Sequence, residues 1–299
     1  MYLATVKVPG SCGELVQGSL KGTNFLITCP VNLYSSITVK LSKDIDGYRA
    51  SIRAEKTIRA LKKTLSYLGR SELGARVEIK SQLLRGRGMA SSTADITAAV
   101  GATMAALGYN PDYDLIKRVA LEIEPTDGVF LPGIYLFDHL RGEVIEGLGK
   151  PPLLHILIFS EKGRVDTIAF NQRSDLKKLN FHKESIVQEA ASLVKAGIRV
   201  KDPGLIGRGA TLSSLAHQSI LFKPNLEKII KLTEGMDEIY GVNVAHSGTL
   251  IGLLIDINFP EGELLAEIEA KIPELTFIKR VQLVSGGLEV ISKDLISYK

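Results

Sequence analysis

One run of the 299-residue sequence gathers groups that could handle an anion: Ser81-Gln82-Leu83-Leu84-Arg85-Gly86-Arg87-Gly88-Met89-Ala90-Ser91-Ser92-Thr93-Ala94-Asp95. Two glycines and three hydroxyl residues stand directly before an Ala-rich segment, Ile96 to Leu107, which has no proline and strong helix propensity. A helix start carries unpaired amides and the positive end of the dipole, so negative charge is stabilised there. Gly86 and Gly88 allow close approach or positive φ, and Ser91, Ser92 and Thr93 offer oxygens to a phosphate or to Mg²⁺. The run lacks the Gly-Lys-Ser/Thr ending of a Walker loop and the Rossmann spacing. On these residues alone, a serine-capped glycine turn explains it as well.

Three other stretches carry chemistry. Glu124-Pro125-Thr126-Asp127-Gly128 sets two carboxylates around a proline turn, where one could meet a metal and the other a substrate hydroxyl; a polar helix end is the plainer reading. Pro9-Gly10-Ser11-Cys12-Gly13-Glu14-Leu15-Val16-Gln17-Gly18 puts three glycines around Glu14 and suits a loop that wraps a ligand, or a turn with a surface glutamate. Asn243 to Gly252 includes His246-Ser247-Gly248-Thr249, whose amides and hydroxyls could close over phosphates or form a plain hairpin.

The elements that must position these residues are legible in outline. Tyr2 to Val8 reads as a strand stopped by Pro9-Gly10, and Phe25 to Cys29 and Leu33 to Leu41 as two strands separated by Pro30. Arg53 to Leu68 is an amphipathic helix closed by Gly69, and Ala75 to Ile79 is a strand feeding the glycine run. Asn110-Pro111 marks the start of a helix with Leu115, Ile116, Val119, Ala120 and Ile123 on one face, ended by Pro125. Ile134 to Asp138 and a central Leu153 to Ser160 follow as strands. Glu161 to Ala169 reads as a crossing into a helical stretch: Phe181 to Ala196, Asp202-Pro203 to about Leu221, and Pro224-Asn225 to Gly241. Glu263 to Ile272 is a short helix, and Phe277 to Val284 and Leu288 to Ile291 are strands. No 20 to 50 residue repeat is visible.

Composition narrows the class. With 45% hydrophobic and 23% charged residues, the chain can bury a large core and is long enough for two domains. A formal charge of +4 is mild and gives no basic, aromatic surface for nucleic acid. Cys12 and Cys29 make no metal-ligand pair, the five histidines are scattered, and no apolar run reaches membrane-spanning length. The expectation is a cytoplasmic protein with neither nucleic acid nor membrane among its partners.

The order of these stretches resembles that of the GHMP kinases, the superfamily named for galactokinase, homoserine, mevalonate and phosphomevalonate kinases. The resemblance spans essentially the whole chain. Gly86-Arg87-Gly88-Met89-Ala90-Ser91-Ser92-Thr93-Ala94 is similar to the family's Gly-x-Gly-Leu-Gly-Ser-Ser-Ala-Ala. Here Ala90 replaces a loop glycine and Thr93 an alanine, so a locally altered loop is expected. Pro9 to Glu14, Glu124 to Asp127 and Ala245 to Thr249 most resemble the L-threonine kinases of cobalamin synthesis, which make L-threonine O-3-phosphate from ATP.

The resemblance implies an α+β fold of two lobes: residues 1–165 like the second domain of ribosomal protein S5, and 166–299 ferredoxin-like. It also implies ATP and Mg²⁺, with Gly86, Arg87, Gly88, Met89, Ala90, Ser91, Ser92 and Thr93 on the phosphates. Ser92, with Ser91 second, and Glu124 become the metal ligands, with Glu122 the fallback carboxylate. Asp127 becomes the group that takes or orients the substrate hydroxyl proton, and Arg85 and Arg87 could reach ATP. For an amino-acid acceptor, Glu14 is the candidate for the ammonium, and His246, Ser247, Gly248 and Thr249 for substrate or phosphate. A homodimer is a further expectation. A homoserine or other small-alcohol kinase, and a non-catalytic nucleotide-binding protein, remain as alternatives.

Overall fold

In the computed structural model, which describes residues 1–143, 145–163, 170 and 173–295, the chain opens with a long antiparallel hairpin. Its strands are β1 (Tyr2–Leu20) and β2 (Thr23–Ser42), joined by Lys21-Gly22 with φ of +51° and +79°. A two-residue turn with both φ positive matches the twist of the strands it connects. The strand expected to stop at Val8 therefore continues. Pro9 to Gly18 is not a free loop but bulged strand, with register shifts at Pro9/Gly10, Ser11/Glu14 and Glu14/Val16. Pro30 does not split β2 either, because it lies opposite Ser11 within this irregular stretch, where a proline is tolerated.

The remaining elements of the first half are β3 (Tyr48–Ala50), α1 (Glu55–Tyr67), β4 (Gly74–Ser81), α2 (Ser91–Ala106), α3 (Tyr113–Leu121), β5 (Ile134–Phe137), β6 (Ile145–Gly149) and β7 (His155–Ser160). Then come α4 (Leu176–His182), α5 (Glu184–Val200), α6 (Pro203–His217), α7 (Leu226–Leu232), β8 (Ile239–Val244), β9 (Leu250–Ile255), α8 (Glu261–Lys271), β10 (Thr276–Gln282) and β11 (Glu289–Leu295). Among the described residues, eleven strands form one sheet in the order β10-β7-β9-β8-β1-β2-β4-β3, with β11 also on β1, β5 on β2 and β6 on β5.

Several helix limits differ from expectation for local reasons. Asp112, not Asn110, caps α3, its carboxylate accepting the amides of Asp114 and Leu115. Asp202 does cap α6, accepting from Leu205 N, with Pro203 just inside. The segment expected to be one helix from Pro224 to Gly241 ends at Leu232; Gly235, at φ +81°, turns the chain back into the sheet as β8. The helix expected over 181–196 is two, meeting at Lys183.

Helix α2 is the packing centre. Every residue from Thr93 to Ala106 is buried, so the helix is enclosed on all sides rather than along one stripe. Two of its hydroxyls return to its own backbone, Thr97 Oγ1 to Thr93 O and Thr103 Oγ1 to Ala99 O, both at 2.8 Å. Gly101 admits Leu288, whose Cδ1 lies 2.3 Å from where a Cβ would stand. A second buried cluster, including Phe159, Leu226, Val242, Leu253 and Ile268, joins β7, β8 and β9 to α7 and α8. The expected boundary at 165/166 lies outside the described residues. The sheet runs across it all the same, since β1 pairs with both β8 and β11.

Candidate active site

Three separated stretches dock on one another through backbone. Ser11 N donates to Met89 O (3.0 Å), Gly13 N to Gly88 O (3.3 Å) and Thr249 N to Arg87 O (2.9 Å). Glycine is required for so close an approach. A Cβ at Gly88 would stand 2.3 Å from Ala245 Cβ, and one at Gly248 would stand 2.2 Å from Arg87 O. Around this junction opens a cavity of about 540 Å³, walled by Glu14, Gly86, Gly88 to Thr93, Glu124 to Asp127, His139, His246 and Ser247, with Lys56 and Arg85 on the α1 and loop sides.

The floor of the cavity is the start of α2. Ala90 precedes it at φ +52°, and no side chain caps the helix. The turn is therefore not the serine-capped one that the residues alone allowed; the first amides of α2 are left to a ligand, as an anion site needs. Ala90 thus holds a left-handed conformation that favours glycine.

Across from that helix start, Ser92 Oγ donates to Glu124 Oε1, and Lys56 Nζ donates to Glu124 Oε2. Glu122 points elsewhere: it holds Lys63 Nζ at 2.6 Å and Tyr67 Oη at 2.5 Å, bonds that pull its carboxyl down to about 2. The geometry thus separates the two glutamates that the sequence left open. Asp127 is braced by Thr93, whose Oγ1 lies 3.4 Å from Oδ2 and receives the Asp127 amide at 3.2 Å. Burial, then the charge of Glu124, pushes the Asp127 carboxyl up to about 6.

Residues 53–130 match the GHMP kinases N terminal domain. Over 294 residues the chain is 30% identical to the L-threonine kinase of Salmonella typhimurium, covering 96% of each protein. It is 32% identical over 300 residues to the L-threonine kinase of Citrobacter freundii, covering 96% of this chain and all of that one. The chain belongs to the GHMP kinase family. Solved structures share the fold: homoserine kinase from Cytophaga hutchinsonii at TM-score 0.71 and 19% identity (97% of this chain, 98% of that one), and the Methanococcus jannaschii mevalonate kinase at 0.68 and 15% (93% and 98%). The expected two-lobed α+β GHMP fold is therefore correct, and the protein is an ATP-dependent phosphotransferase.

Not every expected residue of this kinase reaches the cavity. Arg87, Gly248 and Thr249 stand just behind its wall. Arg87 Nη1 turns away to Ser160 Oγ, Glu161 O and Gly163 O at 3.2, 3.1 and 2.9 Å. Thr249 Oγ1 is 3.0 Å from Ser160 Oγ, and Gly248 supplies backbone clearance. They hold the junction together. Arg85 does line the cavity, paired with Asp95 at 3.2 Å.

Among the wall residues that escaped the sequence reading are Lys56 and His139. Lys56 looked like one more charge on an amphipathic helix, and His139 like one of five scattered histidines; only the fold brings Lys56 to Glu124 and His139 to the cavity wall. Glu14, expected on a loop, is in β1 opposite Val244 and 4% exposed, with Oε2 lacking any hydrogen-bond partner among the described residues. Burial and then the nearby Asp127 raise its carboxyl well above the usual range. A buried carboxylate oxygen without a donor is costly unless a ligand supplies one.

The donor set also fits a magnesium ion. Ser92 Oγ and Glu124 are hard oxygens beside an uncapped helix start, and Mg²⁺ is bound by one or two carboxylates with phosphates and water completing the shell. Among the described residues no group of three or more His, Cys, Asp or Glu side chains is arranged to hold a metal alone.

Proposed function

We propose that this kinase moves the γ-phosphoryl group of ATP to the side-chain hydroxyl of L-threonine, giving L-threonine O-3-phosphate for the aminopropanol linker of cobalamin. The observation that carries the reading is the facing arrangement of the uncapped α2 start, the Ser92–Glu124 pair and the buried Asp127 on one cavity. The identity of 30 to 32% with L-threonine kinases along nearly the full chain supports the choice of acceptor.

In this reading the amides and hydroxyls of Gly86 to Thr93 cradle the triphosphate, and Ser92 with Glu124 would hold Mg²⁺, which when bound neutralises phosphate charge. The threonine hydroxyl oxygen bonds to the γ-phosphorus, the bond to the β-bridging oxygen breaks, and ADP leaves. Asp127 receives the hydroxyl proton. The transition state is loose, so the proton moves late and a carboxylate suffices as acceptor. Glu14 offers its unpartnered oxygen to the ammonium, and His246 and Ser247 face the acceptor.

The test is a panel of hydroxy amino acids and small alcohols, homoserine included, with Mg-ATP and detection of phosphorylated product. L-Threonine turning over far above the rest supports the reading. Preferred turnover of homoserine, or ATP binding with no turnover of any alcohol, defeats it.

A further inference from the structure

The acceptor end of the cavity is backed by a layered group of basic side chains. His139, 5% exposed, lines the cavity, and its Nδ1 is enclosed with no hydrogen-bond partner among the described residues. Its ring stands edge-on to His246, 5.2 Å between centroids, and His246 lies 5.5 Å from His217. Behind them, Lys183 Nζ is 3.3 Å from His217 Nδ1 and 3.2 Å from Gln17 O.

The direction of these bonds is fixed by chemistry. A carbonyl oxygen only accepts, so His217 Nε2 carries the proton and donates it to His246 O at 3.0 Å, leaving Nδ1 to accept from Lys183 Nζ. Lys183 thereby braces the peptide carrying His246. Lys183 is itself 4% exposed and meets no carboxylate among the described residues. A cation taken out of water without a counter-charge is expensive to bury, so the ammonium is held poorly by itself and an anion bound in front of it would stabilise the charge.

On the reading that the acceptor is a hydroxy amino acid, we propose that its carboxylate is held by the imidazoles of His139 and His246, with the Lys183 ammonium behind them as the counter-charge. Glu14 then meets the ammonium, so the zwitterion lies across the cavity with its hydroxyl presented to Asp127. Burial lowers the His139 imidazole to about 4 and the Lys183 ammonium to about 7, consistent with neutral rings that donate and a cation that an anion would restore. His139 is thus a specificity-determining residue that selects for the carboxylate, and Lys183 a positioning residue.

The measurement compares L-threonine with 1-amino-2-propanol, which keeps the ammonium and the secondary hydroxyl but has no carboxylate. Each is assayed as substrate or as competitive inhibitor in the wild type, His139→Ala, His139→Gln and Lys183→Met, all checked for wild-type circular dichroism. The expected result is a KM for L-threonine at least tenfold higher in His139→Ala, with KM for ATP within twofold, so that preference over the decarboxylated analogue falls tenfold. His139→Gln, which keeps a donor, recovers part of the loss, and Lys183→Met loses threefold or more. A His139→Ala variant that discriminates as the wild type does, or that weakens both compounds equally, overturns the inference. A wild type that does not phosphorylate threonine at all instead ends the function proposed above.

Discussion

Asp127 shows how a buried carboxylate is held at a disadvantage to the fold. Its carboxyl stands near 6 because burial and the charge of Glu124 both disfavour ionisation. Between its ordinary value and 6 the folded chain holds a proton that the unfolded chain has released. The penalty is therefore full above about pH 6 and fades as pH falls toward 4. Asp127→Asn removes it, so without nucleotide or metal the variant should melt higher than wild type at pH 8, with the advantage shrinking by pH 5. Its turnover should fall roughly 10²- to 10⁴-fold while ATP affinity is kept, since a positioned proton acceptor contributes about that much. Thermal melts across pH and single-turnover rates check both halves. A variant that melts lower at pH 8, or keeps its rate, removes Asp127 from this role.

At the scale of elements, the start of α2 decides the site, and Ala90 is its one strained residue. A non-glycine residue in the left-handed region costs about 1–2 kcal/mol, and glycine's extra freedom in the unfolded chain returns about 0.5–1 kcal/mol of that. Ala90→Gly should accordingly leave activity intact and raise stability by up to about 1 kcal/mol; a lowered melting temperature would show that the alanine methyl packs usefully. This strain explains part of what the sequence revealed and hid. The Gly86 to Thr93 run, α1, β4 and the Asp202 cap were readable because local chemistry dictates them. The continuation of β1 past Pro9 was not, because its bulges exist only opposite β2 and against Val244. The choice between Glu122 and Glu124 was equally hidden, since both are acidic residues near a helix end and only the packing of α1 assigns Lys63 to one and Lys56 to the other.

Across the whole molecule, the junction of Gly13, Gly88 and Gly248 ties residues of the N-terminal half to a loop of the C-terminal half by backbone contact. Gly248→Ala would place a methyl 2.2 Å from Arg87 O, a backbone atom that can yield only by shifting the Gly86–Thr93 loop. Overpacking of that kind destabilises by about 1–3 kcal/mol, and the loop shift should raise KM for ATP as well. Unchanged KM with normal melting would mean that the two loops separate without consequence.

The same junction bears on the proposed division at 165/166. Cutting there strands β1 from its partners β8 and β11 and exposes the β1 edge, while β7 loses β9 and β10. Neither piece then closes its sheet, and each opens apolar faces that the other covers, including that of the cluster in which Val6, Val8 and Leu15 meet Val187, Ala190 and Ile206. Lobes that share a sheet and a core in this way should unfold together, giving one calorimetric transition whose van't Hoff and measured enthalpies agree. Residues 1–165 expressed alone should lack a cooperative melt. Two resolved transitions, or a truncated first half that melts sharply and binds ATP, would show instead that the lobe carrying the phosphate loop folds on its own and that β8 and β11 merely dock on it.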